Sequence, residues 1–164
     1  MLPPFALLIP TRNAAKFAPR FLEAFEKQDC RPDRMIVVDS ESSDNTTAIF
    51  REHGFEVVSI SASSFDHGGT RQSVAELATD MEVLVYMTQD AILASSESLG
   101  AIVKPFSDHP TVGAVCGRQL PNQDANPFAK YARAHNYPEE SYQRSRDDFK
   151  TYGIKTAFMS NSFA

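Results

Sequence analysis

Four short polar stretches of this chain carry residue types that could hold a small anionic ligand: Pro10-Thr11-Arg12-Asn13, Asp39 to Thr46, Asp66 to Gln72, and Thr88-Gln89-Asp90. Asp39 closes an apolar run, where a carboxylate can accept the imide N–H of uracil or thymine or simply hold a turn. Gly68-Gly69 precedes a helical pattern; glycines let backbone approach a ligand, and a helix start offers free N–H groups to phosphate. Arg71, in that helix's expected first turn, is badly placed for the macrodipole unless an anion is shared between it and the helix start; a solvated arginine is the alternative. Asp90 suits a hard cation such as Mg²⁺ or Mn²⁺, which takes one or two carboxylates plus the diphosphate oxygens of its substrate. Such an ion would neutralise charge on a departing nucleoside diphosphate, whereas as a cap Asp90 would only end a turn. Asp44 reads as an N-cap, and Ser40 and Thr46 as partners for turn or helix-end amides. His67 reads as a loop residue, since no second His or Cys stands at metal-ligand spacing.

The elements that must position these stretches alternate between apolar runs and helix-period segments, the pattern of an α/β fold with a largely parallel sheet. Strands are expected at Phe5 to Ile9, Met35 to Val38, Glu56 to Ile60, Val83 to Met87 and Val112 to Cys116. Helices are expected over Ala14 to Lys27, Asp44 to His53 with Gly54 as terminator, Thr70 to Ala78 with Val74 and Leu77 inward, Ser96 to Phe106, and Phe128 to His135. Ser61 to Gly69 reads as a polar loop, and Glu139 to Lys150 as a solvated charged face. Each polar stretch then follows a strand, and ligands of open parallel sheets bind outside the carboxyl ends of the strands.

A chain of 164 residues can bury a core of its own, and its net charge of −5, with basic residues scattered among acids, argues against a surface for nucleic acid. Cys30 and Cys116 fit no metal or redox spacing and are expected as unpaired thiols in a reducing cytosol. The start is short, broken by Pro3 and Pro4, and has no basic leader; no segment reaches the ~20 apolar residues of a membrane helix. A cytoplasmic protein is expected, with its acceptor free to sit at a membrane.

Together these residues resemble the family 2 glycosyltransferases of the GT-A type. Leu7 to Asn13 is similar to that family's first strand and loop, and Val37-Val38-Asp39-Ser40-Glu41-Ser42-Ser43-Asp44-Asn45-Thr46 to its nucleotide-binding signature, the most specific match. Phe65 to Arg71 and Met87-Thr88-Gln89-Asp90-Ala91 resemble the forms of bacterial rhamnosyltransferases, and Gly117 to Pro121 more weakly resembles the segment leading to the acceptor side. The resemblance implies a Rossmann-like three-layer α/β sandwich with a mostly parallel sheet. It also implies that Pro10 and Thr11 border the base, that Asp39 bonds its N3–H, and that Arg71 lies by base and diphosphate. Asp90 would be the metal-binding member of an Asp-x-Asp motif whose first position is Thr88 here. The full donor-binding set it implies is Pro10, Thr11, Asn13, Asp39, Ser40, Ser42, Gly69, Arg71, Gln89 and Asp90.

The expected function is transfer of a sugar, rhamnose from dTDP-rhamnose, to a surface polysaccharide or lipid-linked glycan, with inversion at the anomeric carbon and Mg²⁺ or Mn²⁺ as cofactor. Residues 1–120 would form the nucleotide-sugar-binding part and 121–164 the start of an acceptor side. The general base of such enzymes is a carboxylate beyond this region; Ser160-Asn161-Ser162 resembles its entrance, and the apolar run ending at Ala164 reads as a cut. This stretch of chain is therefore expected to bind donor with little or no turnover, and the full protein to associate peripherally with a membrane. The alternatives are a nucleotide-sugar-binding module without catalysis and a phosphoacceptor domain; the latter needs an acidic cluster after the first strand, where Pro10-Thr11-Arg12-Asn13 stands.

Overall fold

The computed structural model describes residues 1–122 and 124–157. Residues Met1–Val115 form one compact unit and the described residues from Cys116 a second. The first unit holds strands β1 (Phe5–Thr11), β2 (Arg34–Ser40), β3 (Glu56–Ile60) and β4 (Val83–Tyr86), all parallel, in the order β3-β2-β1-β4. Its main helices are α1 (Ala18–Glu26), α2 (Thr46–Glu52), α3 (His67–Leu77) and α4 (Ser98–Asp108). The connections through α1 and α2 step outward from β1, and the one through α3 returns past it to β4. The strand order therefore reverses between β1 and β4, which is where such sheets open a ligand crevice.

Burial follows from strand alternation. Phe5, Leu7 and Ile9 of β1, with Val37 and Val85, meet Phe21, Leu22 and Phe25 of α1, Phe50 of α2 and Leu99, Ile102 and Val103 of α4. Ala6, Leu8, Ile36 and Val38 face the other way, against Val74 and Ala78 around α3. Helices on both faces of the sheet make the expected three-layer α/β sandwich. Continuous apolar runs, rather than alternating ones, mark β1 and β2 because both of their faces are covered. On the larger core side, Phe55 packs at ring-centroid distances of 5.2 Å from Phe50 and 5.5 Å from Phe25. Gly54, with φ of 81°, turns the chain from α2 into β3, the expected termination.

Several boundaries differ from expectation, each for a local reason. Helix α1 starts at Ala18 rather than Ala14 because the amides of Ala14 and Ala15 are bonded to Thr46 and Asp44; Pro19, lacking an N–H, then fits the first turn. Helix α3 starts at His67, inside the expected loop, because Asp66 caps it. The rest of that loop contains a single 3-10 turn, Ala62–Ser64. Val74 is buried as expected, but Leu77 is 45% exposed; Ala78, four residues on from Val74, takes the inward position instead. Helix α4 runs two residues beyond the expected end, through Pro105.

The expected strand at Val112 to Cys116 is absent: residues 112–115 have no regular structure, and Cys116 makes only an isolated bridge. Gly113 and Ala114 give a strand almost no side chain to pack. Cys30 and Cys116 form no disulfide, and burial, reinforced by Asp29 against an opposing Arg31, raises the Cys30 thiol above its ordinary pKa.

In the second unit, α5 (Pro127–Asn136) covers the expected helix and is capped by Asn126, whose side chain accepts from the Ala129 amide at 2.9 Å. Ser145 and Asp148 form a capping box ahead of α6 (Phe149–Tyr152). Glu139, Glu140 and Asp147 are exposed, as a solvated face requires, and Glu139 pairs with Arg118 at 3.2 Å. Among the described residues no helix is long and apolar enough to cross a membrane. Ser160-Asn161-Ser162 lies outside the described residues.

Candidate functional site

The loops that follow β1 and β2 are joined by two matching relays. The Asn13 amide donates to Ser42 Oγ at 2.8 Å, and that hydroxyl donates to Asp39 Oδ1. The Ala14 amide donates to Thr46 Oγ1 at 2.7 Å, and that hydroxyl donates to Asp44 Oδ1. In each relay a hydroxyl accepts a hydrogen bond from backbone and donates one to a carboxylate, so neither donor of the relay is left unmet. Asn13 closes the seam from its own side, its Oδ1 accepting the Ser43 amide at 2.9 Å from a left-handed backbone with φ of 51°.

Asp39 is 2% exposed and faces the α1 and α2 side of the sheet, with Val37. Its oxygens accept from Thr11 Oγ1 at 3.3 Å, from the Ser42 amide at 2.9 Å and from the Ser42 hydroxyl. Asp44 was expected as an N-cap, but the cap position of α2 falls on Asn45; Asp44 instead accepts from the Thr46 amide and hydroxyl and from the Ala15 amide. Desolvation opposes its charged form, yet these hydrogen bonds outweigh it and hold the carboxyl below its ordinary 3.8.

Two further bonds extend the rim. Gln89 Oε1 accepts the Arg12 amide at 2.7 Å, tying the loop after β4 to that after β1. Glu41 Oε2 accepts the Ala62 amide at 2.9 Å, tying the loop after β2 to that after β3, with Glu41 itself at φ of 53°. Three of the four polar stretches, those after β1, β2 and β4, are therefore joined by hydrogen bonds at the carboxyl ends of the strands, and the loop after β3 joins them through Ala62 rather than through Asp66 to Gln72.

The start of α3 departs from the sequence expectation. The Gly68 and Gly69 amides are not free for phosphate: Asp66 accepts both, the first at 3.3 Å. A Cβ at Gly69 would collide with Asp66 Oδ2, so a larger residue there would have to displace the cap. Arg71 falls in the second turn, not the first, and its Nη1 donates to the His67 carbonyl at 2.8 Å. With Pro10, Val38 and Tyr86 it borders a crevice too narrow to admit a water molecule. Tyr86, which the sequence reading left aside, donates its hydroxyl to the Arg71 carbonyl at 3.0 Å; burial raises its pKa against the opposing charge of Arg71. His67, expected in a loop, is instead the first residue of α3; it is exposed and meets Phe65 edge-on.

The family model for glycosyl transferase family 2 matches residues 6–164. The chain belongs to that family. It is 45% identical over 159 residues to the O-antigen chain rhamnosyltransferase RfbN of Salmonella typhimurium, covering 96% of this chain and 50% of that protein. It is 44% identical to the O-antigen chain rhamnosyltransferase WbaN of Salmonella anatum, covering 99% of this chain and 52% of that one. The chain thus spans about half the length of the curated relatives it matches. Among solved structures, it superposes with a TM-score of 0.61 and 26% identity on a mannosyltransferase from Pyrobaculum calidifontis in complex with GDP-Man and Mn²⁺, covering 73% of this chain and 36% of that one. TarS of S. aureus in complex with UDP-GlcNAc shares the fold with a TM-score of 0.58 and 20% identity, covering 76% of this chain and 37% of that one. The three-layer arrangement is thus the GT-A fold of such glycosyltransferases.

A metal in this family 2 member would have to be shared with its ligand. Among the described residues no group of three His, Cys, Asp or Glu side chains could hold an ion alone. Asp90 is exposed in the turn closed by the Ala91 amide on the Thr88 carbonyl at 3.0 Å. Among the described residues its carboxylate has neither a hydrogen bond nor an ion pair, so it is available. One available carboxylate fits Mg²⁺ or Mn²⁺ completed by diphosphate oxygens, and does not fit a closed site of protein ligands.

Proposed function

We propose that this chain is the donor-binding part of an inverting glycosyltransferase that takes rhamnose from dTDP-rhamnose to extend a surface polysaccharide or lipid-linked glycan. The observation that carries the reading is the 45% identity to an O-antigen chain rhamnosyltransferase over 159 residues, a span that takes in the four rim loops. The rim supports it chemically. Pro10, Thr11, Asn13, Asp39, Ser40 and Ser42 frame the base side, while Arg71, Gln89 and Asp90 serve the diphosphate side. When bound, Mg²⁺ or Mn²⁺ at Asp90 supplies positive charge to the leaving diphosphate. Arg71, with guanidinium nitrogens beyond the one donated to His67, adds a fixed cation near the same group. Residues 1–120 carry this donor role and 121–164 contribute to the acceptor side; the protein works in the cytoplasm, with peripheral membrane contact where the acceptor is lipid-linked.

The test is incubation of the 164-residue chain with dTDP-rhamnose, Mg²⁺ and a competent glycan acceptor, with calorimetry of donor binding alongside. Donor binding with little transfer is expected. Robust transfer would place a working base within these residues, and absence of any dTDP binding would overturn the donor-binding reading.

A further inference from the structure

Helix α5 forms without burying any of its side chains. Asn126 caps it, Pro127 opens its first turn, and every residue from Pro127 to Asn136 is exposed. A helix of ten residues is too short to be held in water by its own hydrogen bonds, and such helices persist through what their apolar face packs against. That face is plain in the spacing. Phe128, Tyr131, Ala132 and His135 stand at i, i+3, i+4 and i+7, one stripe of the helix. Tyr131 and His135 stack at 5.9 Å between ring centroids with their planes 10° apart, while Phe128 and Tyr131 are 87% and 71% exposed. Lys130 and Arg133 lie on the opposite side.

Charge decides what such a face can meet. The whole chain has 16 Lys and Arg against 21 Asp and Glu. Helix α5 has two cations and no acidic residue. Residues 116–160 hold seven Lys and Arg against five Asp and Glu, so the second unit is +2 and the rest of the chain −7. The same unit exposes Tyr142, Phe149, Tyr152 and Ile154. Exposed aromatic rings with cations near them, on a unit of opposite charge to the rest of the chain, fit the boundary between water and anionic lipid. Rings lodge at the level of the headgroups, and cations meet lipid phosphates. A second copy of this chain would bring the same cations to the face, and a neutral glycan would leave them unused.

We propose that the face of α5 bearing Phe128, Tyr131 and His135 docks on an anionic lipid bilayer. The helix lies in the plane of the interface, with Phe128 and Tyr131 among the headgroups and upper acyl chains. Lys130 and Arg133, on the water-facing side, are drawn in by the negative surface potential, which reaches about 10 Å at moderate salt. This surface builds on the membrane contact named in the reading above and shares no residue with the donor rim, so lipid binding and dTDP binding can fail separately.

The experiment sediments the 164-residue chain with vesicles of phosphatidylcholine, or of phosphatidylcholine mixed with phosphatidylglycerol, at low and high salt, beside a titration of dTDP. Binding to the mixed vesicles is expected, weakening as salt rises and slight on phosphatidylcholine. Lys130→Gln with Arg133→Gln should weaken it about tenfold, and Phe128→Ala with Tyr131→Ala about as much, both with dTDP affinity and melting temperature unchanged. The chain has no tryptophan, so Phe128→Trp keeps an aromatic ring and supplies a single fluorophore whose emission should move to the blue on the mixed vesicles only. No binding to mixed vesicles, equal binding to both kinds, or double variants that bind like the unchanged chain would overturn the proposal. So would another occupant of the face without lipid binding: a dimer that Phe128→Ala with Tyr131→Ala dissolves, or a neutral glycan that the same variant no longer binds. Lipid binding in a chain that binds no dTDP would keep this surface and sink the donor-binding reading instead.

Discussion

Gln89 Oε1 and the Arg12 amide meet at 2.7 Å across the seam between β1 and β4, the place where the strand order turns back. The bond links residues 77 apart in sequence and holds Asp90, the next residue, at the same edge as Pro10 and Thr11. Gln89→Ala should leave the Arg12 amide without this acceptor and lower stability by about 0.5–1.5 kcal/mol, the net worth of one hydrogen bond. Affinity for dTDP should fall with it, because the two loops lose their tie. Gln89→Glu keeps an acceptor at the same reach and should recover most of the stability in urea denaturation; failure to recover would show that the side chain's volume, not its bond, is what matters.

Asp39 presents a larger case. It accepts from Thr11 Oγ1 and from the amide and hydroxyl of Ser42 while almost wholly buried, so Asp39→Ala strands the two Ser42 donors and leaves Thr11 only the Val38 carbonyl at 3.4 Å. A loss of roughly 2–4 kcal/mol is expected, since each buried group left unmet costs about 1–3 kcal/mol and neighbouring losses do not add fully. The shift of the urea midpoint at constant m-value measures it. A change below about 0.5 kcal/mol would mean that the seam between the β1 and β2 loops does not depend on this carboxylate.

What the sequence revealed and what it concealed follow from the range of the interactions involved. Strands β1, β2 and β4 were legible because parallel strands covered on both faces read as unbroken apolar runs, and β3 was read to its end residues. The site loops were legible because each follows a strand. The helix starts were not. Ala14 and Ala15 have helical character, but Thr46 and Asp44, some 30 residues away, claim their amides. Likewise Gly68-Gly69 reads as a phosphate cradle, until Asp66 is seen to occupy both amides. The strand at Val112 to Cys116 looked apolar, but strand formation needs a packing partner as well as a pattern, and Gly113 and Ala114 bring little to one. Ser40 was read both as a turn hydroxyl and, through the resemblance, as a donor-binding residue, but its unmet burial was not legible, because nothing in a sequence distinguishes a satisfied buried hydroxyl from an unsatisfied one.

Gly69 gives a test in which two effects of opposite sign compete. Replacing glycine by alanine inside a helix ordinarily stabilises by roughly 0.5–1 kcal/mol. Here a Cβ would strike Asp66 Oδ2, the cap of α3, so Gly69→Ala should instead destabilise, by about 1 kcal/mol or more. In the Asp66→Ala background the clash is gone and the same substitution should become neutral or stabilising. A double-mutant cycle by thermal melting reads this coupling directly; additive effects would show that cap and glycine are independent.

Acid should loosen the second relay. Asp44 has its carboxyl held below 3.8 because hydrogen bonds from Thr46 and Ala15 outweigh its desolvation, so the folded state binds this proton less readily than the unfolded chain. The contribution is therefore fully present above the unfolded value and is lost as pH falls through the folded one. The stability difference between the unchanged chain and Asp44→Ala should be constant near neutrality and shrink below about pH 4. A difference that stays flat down to pH 2.5 would show that the charge on Asp44 contributes nothing to holding Ala15 and Thr46 together.

Asp90 separates binding from folding more cleanly than any other rim residue. It is exposed, and among the described residues no donor or cation depends on it, so Asp90→Ala should change stability by no more than about 0.5 kcal/mol. Binding is where it should matter. A single carboxylate completing its coordination with diphosphate oxygens makes ion and nucleotide mutually dependent, each raising the affinity of the other by the same factor. Titration of dTDP into the unchanged chain should therefore tighten on adding Mn²⁺, and in Asp90→Ala that gain should vanish while the metal-free affinity stays where it was. Asp90→Asn keeps an oxygen but not its charge and should lose most of the gain as well. If both variants still bind dTDP more tightly with Mn²⁺, the ion sits elsewhere on the nucleotide, and the turn after β4 does not hold the metal.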